Sequence, residues 1–395
     1  MAWAGAFDPP GPGYAPSRDF GRCDGPPRRA LGRSTEGVGP STIDAALRAR
    51  GGSLTELSLT TTLIVFTLGA AVIGLVGVRL TRFADELADL TGLGEAVFGA
   101  VLLGASTSFP GIVASVTAAA SGHAELAVSN AVGGIAVQTV FLVAADLAHR
   151  RANLEHAAAS VPNLISAALL CGLLALPLMA SNGPSFTLLG VHPASFLLLG
   201  IYVFGLRIAS QSRDAPGWRP VRTRDTLEDR PQRTFARKRS ATRLWLAFAA
   251  SVAVVGVAGW LVGISGLALV RHTGLSETLV GSLFTATATS LPELVTAVAA
   301  VRQGALTLAV GGIIGGNTFD VLFLVFADVA YREGSIYHAM GAQPQFLISL
   351  SILLTAILLL GLIRRERRGV ANIGFESLAV LVFYLMGLSV LVFGG

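Results

Sequence analysis

The chain has 395 residues, 52% hydrophobic and 13% charged, with a formal net charge of +5. A soluble domain carries roughly 25% charged residues, and the few charges here are segregated, with none at residues 157 to 206, 244 to 270 or 334 to 363. This composition excludes an ordinary soluble protein, and the positive balance lacks the aromatic-interleaved basic patch of a nucleic-acid partner.

Residues 1–58 are rich in Pro, Gly and Arg without an apolar period, which predicts a disordered tail. Ten apolar spans follow, at about 59–78, 93–120, 124–148, 158–181, 186–207, 243–270, 276–301, 305–330, 344–363 and 375–394. A membrane-spanning helix needs about 20 residues. The segments are continuously apolar where barrel strands would alternate, so an all-α membrane protein is expected. Asn182-Gly183-Pro184 is a turn signal that divides the fourth span from the fifth. From Arg207 to Arg243, both included, stand eleven Lys/Arg and four Asp/Glu, a bias that predicts a basic cytoplasmic loop at 208–242. By parity both termini are then extracytoplasmic, in a multi-pass protein of the cell membrane whose surroundings are the lipid bilayer.

An offset of 182 aligns the chain with itself. Thr91-Gly92-Leu93-Gly94-Glu95 falls on Thr273-Gly274-Leu275-Ser276-Glu277, Thr107-Ser108-Phe109-Pro110 on Thr289-Ser290-Leu291-Pro292, and Gly133-Gly134 on Gly315-Gly316. Of the 58 positions from 91 to 148, 23 are identical to their partners. The same offset pairs the first five spans with the last five, giving repeats at 59–207 and 243–395. Five is odd, so the halves enter the membrane from opposite sides. Inverted repeats of this kind are a secondary-transporter architecture with the site at the repeat interface.

Of the 24 acidic residues, nearly all lie in the tail, in loops or at span ends; Asp146 and Asp328 read as interfacial. Glu293 and Asp320 fall inside the seventh and eighth spans. A carboxylate at that depth costs at least about 2.5 kcal/mol on insertion scales, which marks both as functional candidates. Thr289 and Glu293 share a helical face, and Pro292 frees a backbone carbonyl beside them. Such an oxygen-only set suits a hard cation, and no His or Cys stands near for zinc or copper. The first half is expected to repeat this helix break at Thr107-Ser108-Phe109-Pro110, but it has Gly111 where the second has Glu293, and Gln138 where the second has Asp320. The six His are scattered and support no metal cluster.

The motifs Gly-Ala-Ser-Thr-Ser-Phe-Pro (104–110) with Ser-Asn-Ala-Val-Gly-Gly (129–134), and Thr-Ser-Leu-Pro-Glu (289–293) with Gly-Gly-Asn-Thr-Phe-Asp (315–320), resemble those of the cation/calcium exchanger superfamily, in its bacterial sodium/calcium exchanger-like branch. The resemblance implies ten helices as two inverted five-helix repeats and antiport of Ca2+ against Na+ or H+ without an organic cofactor. It also implies that the first and sixth spans move across the core to alternate access. Ion ligation passes to Thr107, Ser108, Thr289, Ser290, Glu293 and Asp320, with Gln138 where the family usually has Asn or Asp. Two departures stand out: the first-repeat Glu is Gly111, and the motif Ser is Gly134 in one repeat and Gly316 in the other. Two alternatives remain, a monovalent cation/proton antiporter and a degenerate, non-transporting member of the same fold. An intramembrane hydrolase would need a nucleophile paired with a base, and neither Ser108 nor Ser290 has a His in its motif.

Overall fold

The computed structural model describes residues 58–91, 98–148, 153–214, 240–366 and 374–394. Nearly all of the expected tail, most of the basic loop and Glu95 lie outside the described residues.

The described residues form helices, joined by short turns and one isolated bridge between Leu188 and Val191. In the first half these are α1 (Leu59–Thr91), α2 (Phe98–Ala120), α3 (Ala124–Ala148), the short α4 (Leu154–Ala158), α5 (Val161–Ser181) and α6 (Pro193–Asp214). The second half comprises α7 (Ala241–Thr273), α8 (Glu277–Thr289), α9 (Leu291–Arg302), α10 (Leu306–Asp320), α11 (Leu322–Ala330), the short α12 (Ile336–Ala339), α13 (Ala342–Arg364) and α14 (Phe375–Phe393). In hydrocarbon every backbone N–H and C=O must be satisfied within the chain, and a helix does this with local bonds alone.

Eight of these helices, with α10 and α11 taken as one, are long and apolar enough to cross a membrane, and the bent pair α8–α9 makes up to nine. Up to nine of the ten expected spans are thus accounted for among the described residues. The second expected span corresponds to α2, a 23-residue helix that is not among the nine.

Helix α3 is the axis of the fold and is buried almost throughout. Its Ala127, Val128, Ala131, Val132, Ile135 and Ala136 are fully covered, as expected of a helix apolar on every face. By contrast α1, α6 and α14 leave rows of large apolar side chains outside: Leu63, Ile64 and Leu68; Phe196, Val203 and Phe204; Val382, Leu385 and Met386. Apolar faces this long exceed what a water-soluble monomer exposes and match a lipid boundary.

The two halves are stapled together by a symmetric pair of buried carboxylates. Asp146 at the end of α3 accepts hydrogen bonds from the Leu154 N–H (2.8 Å), the Gly374 N–H (3.4 Å) and the Ser377 hydroxyl (3.1 Å). Asp328 in α11 accepts from the Ile336 N–H (3.2 Å), the His192 N–H (2.7 Å) and the Ser195 hydroxyl (2.7 Å). Every donor to Asp328 stands 182 residues from its counterpart at Asp146, so each half pins the start of the other's final helix. This corrects the interfacial reading of the two acids: they are 1% and 0% exposed. A carboxylate taken out of water needs several donors, and backbone N–H groups at helix starts supply them with a favourable dipole. His156 and His338 repeat the symmetry, bonding the carbonyls of Arg365 and Gly183, again 182 apart.

Asp328→Ala strands three buried donors, each worth roughly 1–3 kcal/mol when unpaired. The variant is expected to unfold several degrees below wild type in detergent, with Ser195→Ala milder; unchanged unfolding temperatures would show that the staple carries no stability.

Candidate functional site

The site is built where two helices of the second half are interrupted. Pro292 lacks a backbone donor and is tolerated at a helix start, so the chain turns by 50° between α8 and α9. The pivot, Ser290, has φ −94° and ψ 8°. Glu293 thus sits in the first turn of α9, where the helix dipole favours a negative charge. Upstream, α8 contains a π-helical turn at Val280–Thr285. Helix α10 ends at Asp320, and α11 resumes after Val321, so the second carboxyl also lies at a break. The first half differs from expectation: α2 runs unbroken with Pro110 inside it.

All seven candidate residues are buried, the most exposed being Thr107 at 7%. The structure brings them together from five helices, with Ser290 at the pivot between two of them. Ser108 donates to Oδ1 of Asp320 at 2.5 Å, while Gln138 Nε2 donates to Oδ2 of Asp320 at 2.7 Å and to Ser290 Oγ at 3.1 Å. These contacts obey the repeat relation. Ser108 meets the second-half acid, its counterpart Ser290 meets the first-half amide, and the counterparts Gln138 and Asp320 meet across the axis. Thr107 lies within hydrogen-bonding reach of the Glu293 carboxyl, which lies near Asp320. The hydroxyl of Thr107 also reaches the Gly104 carbonyl (3.1 Å), and that of Thr289 donates to the Ala286 carbonyl (3.2 Å), which leaves the lone pairs of Thr289 Oγ1 as acceptors.

Two buried acceptors of this cluster have no hydrogen-bond partner: Glu293 Oε2 and Gln138 Oε1. An unmatched buried oxygen costs roughly 1–3 kcal/mol. These two, with the other carboxyl oxygens of Glu293 and Asp320, make a donor set complementary to a hard cation, which takes six to eight oxygens. The glycines in place of the motif Ser keep this space open. A methyl on Gly134 would lie 3.5 Å from Ser290 Oγ and 4.0 Å from Asp320 Oδ2, and one on Gly316 would lie 3.6 Å from Gln138 Oε1. No group of three or more His, Cys, Asp or Glu able to hold a metal occurs among the described residues.

Sequence reasoning overlooked several neighbours. Tyr202 of α6 lies near Asp320 and packs edge-on against Phe319 at 5.9 Å. Asn130 donates to the Gly111 carbonyl (3.2 Å) and Ser115 Oγ (2.8 Å), and Asn317 donates to Thr139 Oγ1 (3.2 Å). Both Asn lie inside the repeat motifs, which was the available signal; Tyr202 carried none.

The family model for sodium/calcium exchanger protein matches residues 61–210 and 243–393, two stretches whose starts differ by the repeat offset of 182. The chain belongs to this family. Similar proteins include CaxA of Alkalimonas amylolytica, 26% identical over 294 residues that cover 73% of this chain and 88% of that one. The fold is also that of the crystal structure of the H+/Ca2+ exchanger CAX, with a TM-score of 0.60, 13% identity, and coverage of 90% of this chain and 89% of that one. The sodium-calcium exchanger NCX_Mj matches with a TM-score of 0.53 and 15% identity over 84% of this chain and 99% of that one. This family member is a multi-pass, all-α secondary transporter of inorganic cations built as inverted repeats, and it is not an enzyme.

Proposed function

We propose that this exchanger moves Ca2+, or a cation of like charge and size, against Na+ or H+, at the oxygens of Glu293, Asp320, Thr107, Ser108, Thr289, Ser290 and Gln138. The observation that most supports this is one buried cluster contributed by both halves, in which Glu293 lies near Asp320 and both Glu293 Oε2 and Gln138 Oε1 lack a hydrogen-bond partner. Exported cation and driving ion compete for the same atoms. A carrier with two bare carboxylates at that depth carries a heavy desolvation cost, so it reorients only when one or other ion has neutralised them.

Helices α1 and α7 pack along each other and are the moving pair in this scheme. Gly74 and Gly77 of α1 lie against Leu291 and Pro292, and their counterparts Gly256 and Gly259 of α7 lie against Phe109 and Pro110. No organic cofactor takes part. The scheme keeps residues 59–207 and 243–395 as the two repeats, the 208–242 loop in the cytoplasm and both termini outside. Protease is expected to cut that loop only in inverted vesicles, and cleavage in right-side-out vesicles would reverse the orientation.

The test is uptake of radioactive calcium into proteoliposomes under an imposed Na+ or H+ gradient. Gradient-driven accumulation is expected. Calcium-insensitive Na+/H+ exchange would select the monovalent reading, which the missing first-repeat carboxylate at Gly111 favours. Absence of any flux would make the protein a non-transporting member of the family.

A further inference from the structure

The corner of the site that mirrors Glu293 is filled. Gly111 stands at the repeat-related position, and a Cβ built on it would lie 2.5 Å from Cε2 and 2.9 Å from Cζ of Phe323, separations at which a neighbour must move. The ring belongs to α11, just past the break after Asp320, and is 4% exposed. It occupies the volume into which a side chain at 111 would grow. The backbone there offers nothing in exchange, because the Gly111 carbonyl already accepts the Asn130 amide at 3.2 Å. In the other half the Glu293 carbonyl is likewise engaged, by the Thr296 hydroxyl at 3.0 Å, but the carboxyl remains, with Oε2 unpartnered. Both carbonyls are engaged, and the side chains differ: a carboxylate on one side, glycine under an aromatic ring on the other.

We propose that Phe323 closes the first-repeat half of the ion pocket and thereby limits its charge to the carboxylates of Glu293 and Asp320. This rests on the ion-exchange reading above and makes Phe323 a specificity-determining residue that never touches the ion. A third carboxylate would add charge and oxygens for the same cation. An apolar ring raises the cost of placing any ion in that volume, and it leaves two negative charges to balance one divalent ion.

The experiment is equilibrium binding of radioactive calcium to purified, folded protein, comparing wild type with F323A, G111E, G111E/F323A and G111Q/F323A. Wild type is expected to bind one calcium per chain, and F323A serves as the reference for added room without added charge. G111E with the ring in place is expected to gain no affinity, whereas G111E/F323A is expected to bind at least tenfold more tightly than F323A. The neutral G111Q/F323A is expected to show no such gain, which separates charge from room. A G111E protein that binds as tightly as the double variant would overturn the proposal. So would a folded G111E/F323A no tighter than F323A, or more than one calcium per wild-type chain. Wild type that binds no calcium would overturn the calcium reading instead, and a gain in the double variant over F323A would still support the plug.

Discussion

Glu293→Gln is expected to reduce gradient-driven calcium flux in proteoliposomes by at least about 100-fold, equivalent to about 2.8 kcal/mol of lost ion stabilisation. The substitution keeps the length of the side chain and one acceptor, so packing in the first turn of α9 is preserved. What it removes is half of the negative charge of the site and one of the two carboxyls, whose Oε2 is unpartnered at 5% residue exposure. A hard cation stripped of water needs that charge more than it needs another neutral oxygen. The neutral amide is also cheaper to hold at this depth than a carboxylate, so the variant is expected to unfold at or above the wild-type temperature. Loss of transport together with unimpaired stability distinguishes a ligand from a structural residue. Wild-type flux in Glu293→Gln would remove the residue from the site.

The second large effect concerns motion. A methyl added at Gly259 would stand 2.6 Å from the Pro110 carbonyl oxygen, 2.9 Å from its Cα and 3.1 Å from its carbonyl carbon. These are backbone atoms inside α2, and they cannot rotate aside, so Gly259→Ala must push α7 away from the helix over which it is proposed to slide. Its counterpart Gly77 would meet Pro292 at Cγ, 2.5 Å away, and a ring pucker can yield. Gly259→Ala is therefore expected to slow turnover at least tenfold while calcium binding stays within about threefold, with Gly77→Ala less affected. Stopped-flow flux measured beside equilibrium binding separates the two quantities. Equal losses in both would place Gly259 in ion binding, and unchanged turnover would end its role as a gliding contact.

The ion site was legible in the sequence to an unusual degree because charge is so scarce. Glu293 and Asp320 stand out as acids inside apolar spans, and the 182-residue offset identifies Thr107, Ser108 and Gln138 as partners of Thr289, Ser290 and Asp320. The contacts of Ser108 and Gln138 with Asp320, and of Gln138 with Ser290, follow that pairing. The same scarcity misled at Asp146 and Asp328, since an acid at the end of an apolar span looks the same whether it meets water or a buried helix start. Most of their donors lie in the opposite half of the chain, beyond the reach of any local pattern. Proline misled as well: Pro110 and Pro292 share a motif, yet α2 passes through the first and the chain bends 50° beside the second. Neighbouring helices decide whether a membrane helix tolerates the freed backbone groups.

By itself the sequence determined what depends on one residue or one offset: membrane residence, helical spans, the doubled architecture and the chemistry of the ligands, because hydropathy and repeat identity are properties of the chain. The tertiary structure alone decided which corners of the site are open and what holds the halves together. Phe323 lies over Gly111, and Asp146 and Asp328 reach across to Ser377 and Ser195, because those relations arise only when helices far apart in sequence are packed to van der Waals contact.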